Sequence, residues 1–229
     1  MIEQNHLASM ASAPAAVLAE SNHRIANNLA VVAGYLILQA NRTVREGGPL
    51  AACEVHSILA AASAKVSAAG NLHRILTTNV DGAIDFGQYL EHVAQSAFEM
   101  MADGKQFDLA TEFESGCFVA SDQALNLGLL VSELVINAIK HAHPAGSRGV
   151  IETGCRMTPN GILAWVRDDG VGLPEGFDLA HDGSIGMRTL RLISQQLDVE
   201  LDFLSDDIGL TVELRIPAAV LAVPLAQFA

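Results

Sequence analysis

Positive charge is scarce in this sequence. Its 229 residues hold 13 Lys and Arg against 26 Asp and Glu, a net charge of −13 at pH 7. A grip on nucleic acid or an anionic membrane depends on neutralising phosphates with Lys and Arg, so neither is expected as a partner. Cysteine is also rare. Cys53, Cys117 and Cys155 lie far apart with no CxxC, which supports neither a disulfide framework nor a zinc knuckle and fits a reducing, cytoplasmic setting. The opening MIEQNHLASM has no basic start followed by an apolar core, so it does not read as a signal peptide. The longest apolar runs, 29–38 and 218–229, fall short of the roughly 20 residues a membrane helix needs, and a soluble protein is expected. There is no GxxxxGK[ST] and no GxGxxG after a strand, so a P-loop and a dinucleotide fold lack support. His6, His56, His73, His92 and His181 are scattered, and His141-x-His143 has no carboxylate or cysteine at a metal-site spacing. Zinc is not expected.

What is present divides into two regions. Residues 1–80 carry five basic and four acidic side chains, and residues 81–229 carry eight and 22, so nearly all the acidity lies in the second region. In the first, Leu18, Ile25, Leu29, Val32 and Leu36 recur at heptad spacing over 11–42, which predicts a long helix. Gly47-Gly48-Pro49 ends it, and Val55, Leu59, Ala62, Val66 and Ala69 repeat the pattern in a second helix running to about Thr78. Such a hairpin has too little core to stand alone. Two copies pairing into a four-helix bundle would bury both seams, so a homodimer through residues 1–80 is expected; packing of the hairpin on its own C-terminal region is the alternative.

The second region alternates helix and strand. Residues 86–101, 122–141 and 185–197 read as helices, and 117–120, 150–156, 162–167, 199–204 and 210–216 as strands. The last strand alternates Leu210, Val212, Leu214 and Ile216 with Thr211, Glu213 and Arg215, the period of a half-buried strand. The fold class predicted for the whole is α + α/β: a helical hairpin over 1–80, then an α/β sandwich over 81–229 with one layer of helices on one mixed sheet.

Four clusters could carry chemistry. On the first helix Glu20, His23 and Asn27 stack on one face away from the seam, where a carboxylate can hold the proton of one imidazole nitrogen and leave the other free to attack. Taken alone, a histidine on a polar helix face is more often a solvated side chain. On the long helix Glu133, Asn137, Lys140 and His141 form a polar stripe, in which an amide oxygen can ligate Mg²⁺ and a lysine can meet phosphate; an ordinary exposed face would read the same way. A strand then runs into Asp168-Asp169-Gly170-Val171-Gly172, where the glycines allow a close backbone approach and the carboxylate can accept from an amino group, although a tight turn has the same composition. Gly183-Ser184-Ile185-Gly186 opens a helix whose free amides favour an anion, a weak signal by itself.

Order and spacing say more than any one cluster. Glu20-Ser21-Asn22-His23-Arg24-Ile25-Ala26-Asn27-Asn28-Leu29 resembles the phosphoacceptor helix of two-component histidine kinases whose motif reads Glu-x-x-His-Arg-x-x-Asn-Asn-Leu, a subfamily related to the HWE kinases. The downstream clusters are similar to the N, G1 and G2 boxes of the GHKL (Bergerat) ATP-binding fold. The resemblance implies His23 as phosphoacceptor, with Glu20 orienting its ring. It implies Asn137 as the Mg²⁺ ligand, with Glu133, Lys140 and His141 in support, and Asp168 meeting the adenine amino group in a pocket shaped by Gly170 and Gly172. Gly183 and Gly186 would border the phosphates, with 173–182 a short lid over ATP. Two departures stand out: Ala26 occupies a position that is often lysine, and Trp165 is followed by Val166 and Arg167 where the HWE subgroup has Trp-x-Glu. About 20 residues precede the motif, too few for an input domain, so a separate sensor protein is expected beside a response regulator receiver domain as partners. The alternative is a histidine phosphotransferase that relays phosphoryl groups without ATP; it predicts loss of the Asn and Gly-box positions, which are present.

Overall fold

The computed structural model describes residues 30, 32–34, 36–37, 40–41, 44, 51–78, 83–102, 107–144, 147–177 and 185–221. Of the first predicted helix, the described positions between 30 and 44 are helical, and Glu20, His23 and Asn27 lie outside the described residues. The second predicted helix is α1, Ala52–Thr78. There follow β1 (Ala83–Asp85), α2 (Phe86–Met101), β2 (Phe107–Phe113), β3 (Phe118–Ala120) and α3 (Ser121–His141). The chain continues through β4 (Gly149–Thr158), β5 (Gly161–Asp168), α4 (Ile185–Leu197), β6 (Glu200–Asp206) and β7 (Gly209–Pro217), and a 3₁₀ turn at Ala218–Val220. Helices α2 and α4 span the residues the periodicity predicts, and the five predicted strands appear with ends moved by one or two residues. Strands β1 and β2 were not anticipated.

The sheet has the order β2-β4-β5-β7-β6, with β2 parallel to β4 and the other neighbours antiparallel. Strands β1 and β3 form a separate antiparallel pair. Register explains the core. Thr153, Val166 and Val212 stand in one cross-strand row, Cys155, Ala164 and Leu214 in the next, and all six are buried against the helices. The same period of two carries Ile162, Ala164 and Val166 on to Asp168, so the last residue of β5 faces the helical layer although it is a carboxylate. Asp85 caps α2, its carboxylate accepting from the Gln88 amide at 3.1 Å.

Helix α1 has two working faces. Ala61, Ala64, Lys65, Ala68 and Leu72 are buried, and this face lies on α2 and α3. Tyr89 of α2 is fully buried where the three helices meet; its hydroxyl donates to the Ala68 carbonyl at 3.4 Å, and burial pushes the phenol's pKa up. On a neighbouring face Val55, Leu59 and Val66 of the predicted seam are 41%, 61% and 51% exposed. The hairpin alternative is thus partly realised: one face of α1 packs on the chain's own second region, and of the predicted seam Val55, Leu59 and Val66 stay open while Ala69 and, on the first helix, Val32 are buried in the core. Cys117 and Cys155 are free and buried beside one another, and burial pushes both thiols up.

Candidate functional site

Helix α3, the end of β5 and the loop beyond it, the start of α4, and β6 with β7 enclose a cavity of about 420 Å³, within the range of small-molecule sites. From α3 come Asn137, Lys140 and His141, spaced so that one helix face supplies all three. Asp168 contributes the buried carboxylate at the end of β5, and Gly172, Leu173, Pro174 and Phe177 form the loop wall. Leu134, Val166, Phe203, Leu210 and Val212 give the cavity apolar surfaces, and Met187 of α4 closes another side. Asn137, Lys140, His141, Asp168 and Gly172, singled out from sequence, therefore share one cavity.

Backbone approach explains the glycines. A Cβ on Gly170 would lie within 2.4 Å of both the Cα and the carbonyl oxygen of Ala142, just past α3. Only glycine lets the loop after β5 dock there, and the Val171 amide then donates to the Ala142 carbonyl at 3.0 Å. Gly172 has φ of +67°, and the following Leu173 amide donates to Ser205 Oγ at 2.8 Å, joining the loop to β6. The Gly170 amide donates to Asp168 Oδ1 at 3.0 Å. Burial raises the Asp168 pKa, and the Gly170 and Leu210 amides oppose that rise without cancelling it.

Asp169 turns the other way. It is bound by His143 Nε2 at 2.7 Å and accepts from the Val150 amide at 2.9 Å, while Ser147 Oγ lies 3.0 Å from His143 Nδ1. Burial pushes the Asp169 carboxyl up, but the hydrogen bonds from His143 and Val150 outweigh it and hold the group below its ordinary value. His143, considered from sequence only as a partner of His141, instead ties the chain after α3 to the second acid of the loop.

Glu133 is buried and does not line the cavity. Its Oε2 accepts from Lys65 Nζ of α1 at 2.5 Å, both side chains nearly sealed from solvent. Its Oε1 lies where a Cβ of Gly186 would be, at 1.8 Å, so the carboxylate packs directly on the first turn of α4. Gly183 lies outside the described residues. Sequence reasoning missed Lys65, Met187 and Phe203. Lys65 had a signal of its own: positions 61, 65, 68 and 72 repeat at heptad spacing on the face flanking the seam.

The residues fit a magnesium nucleotide. A buried carboxylate can accept from an exocyclic amine, the apolar walls suit a base, and Asn137 offers an amide whose nitrogen donates to Met187 Sδ at 3.7 Å.

Two families match the chain: one described as histidine kinase (HisKA_2) over residues 20–101, and the histidine kinase-like ATPase domain over 107–215. The sensor histidine kinase PdtaS of Mycobacterium tuberculosis is 31% identical over 205 residues, which are 88% of this chain and 39% of that protein. Blue-light-activated histidine kinase 2 of Erythrobacter litoralis is 29% identical over 206 residues, 87% of this chain and 56% of the relative. Among solved structures, the histidine kinase domain of the Erythrobacter litoralis EL346 blue-light-activated kinase superposes with a TM-score of 0.67 at 25% identity, covering 88% of this chain and 93% of that one. The chain thus spans about two fifths of the length of PdtaS. With both matches in chain order, and the second lying on the sheet and helices that enclose the cavity, the chain belongs to the HisKA_2 type of histidine kinases and carries a GHKL-type ATPase domain.

Proposed function

We propose that the protein autophosphorylates His23 from Mg²⁺–ATP and passes the phosphoryl group to an aspartate of a response regulator receiver domain. The observation that carries this reading is the buried Asp168 carboxylate in a nucleotide-sized cavity that Asn137 and Lys140 also line, within a chain whose first helix holds Glu20-x-x-His23-Arg24.

In this reading residues 1–80 form the dimerisation and phosphotransfer hairpin of a cytoplasmic homodimer, and residues 81–229 the ATP-binding domain. Asp168 accepts from the adenine amino group, and Gly170 and Gly172 hold the loop that shapes the base end. Asn137 would hold Mg²⁺ through its side-chain oxygen, with His141 in support on the cavity wall and Glu133 acting from outside the cavity, one turn earlier on the helix; the ion would offset charge on the phosphate oxygens. Lys140 adds a positive charge beside the phosphates, and Gly183 and Gly186 let backbone amides come close to them. Glu20 holds the proton on one nitrogen of His23, with Asn27 on the same helix face. The other nitrogen attacks the γ-phosphorus in line; a P–N bond forms, the bond to the bridging oxygen breaks, and ADP leaves. A receiver aspartate then takes the phosphoryl group by the same exchange.

The test is incubation with Mg²⁺ and γ-labelled ATP. Label that is acid-labile and base-stable, absent in His23→Ala and absent when EDTA removes the metal, is the expected result. No label and no bound ATP, with phosphoryl transfer from a phosphorylated receiver onto His23, would replace the kinase by a relay protein.

A further inference from the structure

The ion pair between Lys65 and Glu133 joins residues 68 positions apart in sequence, and it does so inside the protein. Lys65 lies on α1, the second helix of the predicted hairpin, which in the reading above presents the phosphoacceptor. Glu133 lies on α3, one turn before Asn137. Taking an ammonium and a carboxylate out of water is costly, and a pair at 2.5 Å with side chains 1% and 6% exposed persists only where geometry is well held. The packing around Lys65 supplies that: Ala61, Ala64 and Ala68 keep the buried face of α1 shallow, so the helix lies close enough for the ammonium to reach Glu133. The other carboxylate oxygen fills the space over Gly186. Rotation of Glu133 would therefore give up its contact with the Lys65 ammonium or its packing on the first turn of α4.

We infer that Lys65 is a positioning residue for phosphoryl transfer: by fixing Glu133 against Gly186 it sets the placement of the first turn of α4 relative to Asn137 and ties both to the hairpin. This rests on the kinase reading. Lys65 acts on transfer rather than on nucleotide capture, because neither it nor Glu133 lines the cavity, whereas Asp168 and the apolar walls of the base end do.

The experiment compares wild type, Lys65→Met, Glu133→Gln and the double variant, all in the full chain. At saturating Mg²⁺–ATP, Lys65→Met should label His23 about tenfold to a hundredfold more slowly, the scale of a small misplacement of reacting groups. Its affinity for a fluorescent ATP analogue should stay within about twofold of wild type. Independently of activity and without nucleotide, amide exchange over residues 186–190 should quicken. Lys65→Met should add no further loss on the Glu133→Gln background, since the pair acts as a unit. The double variant removes both charges of the pair, so the comparison survives if Lys65→Met does not fold. A Lys65→Met protein that labels at the wild-type rate overturns the inference, as does a parallel loss of rate and nucleotide affinity or a full Lys65→Met effect on the Glu133→Gln background. Absence of label in the wild type would instead remove the kinase reading, and the exchange measurement would still report whether Lys65 holds α4.

Discussion

Two adjacent carboxylates, Asp168 and Asp169, show how strand alternation divides labour between neighbours. Asp168 points toward the helices and is buried with its pKa raised; Asp169 points outward and is held low by His143 and Val150. A carboxyl whose folded pKa is depressed stabilises the fold at every pH above its unfolded value, 3.8, and loses that contribution as pH falls through the lower folded value. Asp169→Asn should therefore melt below the wild type at about pH 5, by an interval that closes under stronger acid. Thermal melts of the two proteins across pH 2.5 to 7 check it, those limits being roughly set by the ordinary carboxylate range; an interval that widens toward acid would show that Asp169 does not make this contribution. The two roles were not separable from sequence. Asp-Asp-Gly-x-Gly marks the loop, but which acid faces inward depends on the phase of β5, and the His143 contact depends on how the chain leaves α3.

At the scale of elements, long periodic segments were legible and short or edge ones were not. Helix α4 and strand β7 repeat apolar residues at their own periods and appear where predicted. Strand β2 is an edge strand with mostly exposed residues, Asp108 and Glu112 among them, so its apolar signal is diluted. Strand β1 has only three residues. The junction of α1, α2 and α3 shows what packing adds beyond pattern. Gly128 sits mid-helix in α3, where an alanine would favour the helix by about 1 kcal/mol. A Cβ there would fall 2.4 Å from the Tyr89 hydroxyl and 2.7 Å from its ring, which is fully buried and cannot retreat into solvent. Overpacking of this kind costs about 1–3 kcal/mol, so Gly128→Ala should lose about 1 kcal/mol net and a few degrees of melting temperature. Tyr89→Phe on that background removes the nearest atom and should recover part of the loss. A Gly128→Ala protein more stable than wild type in urea unfolding would mean that the ring moves aside at little cost.

For the whole molecule, the uneven charge and the exposed part of the seam belong together. Residues 81–229 hold 22 acidic and eight basic side chains, a poor setting for a polyanion except where Lys140, helix amides and a metal ion act locally. The first 80 residues are nearly neutral and repel a second copy little. Helix α1 uses its alanine face and Lys65 to hold the chain's own second region, and leaves Val55, Leu59 and Val66 in solvent at heptad spacing. Three large aliphatic side chains aligned on one helix face form the kind of stripe that folded proteins normally cover. If a second copy covers it, Leu59→Glu with Val66→Glu should convert a dimer to a monomer in sedimentation equilibrium at micromolar concentration. The same substitutions should leave the stability of the isolated chain within about 0.5 kcal/mol, because both side chains are already more than half exposed within it. A wild-type protein that sediments as a monomer, or a double variant that stays dimeric, would remove residues 1–80 as the dimer interface. A monomeric variant that also melts several degrees lower would show that the seam is covered by the chain itself.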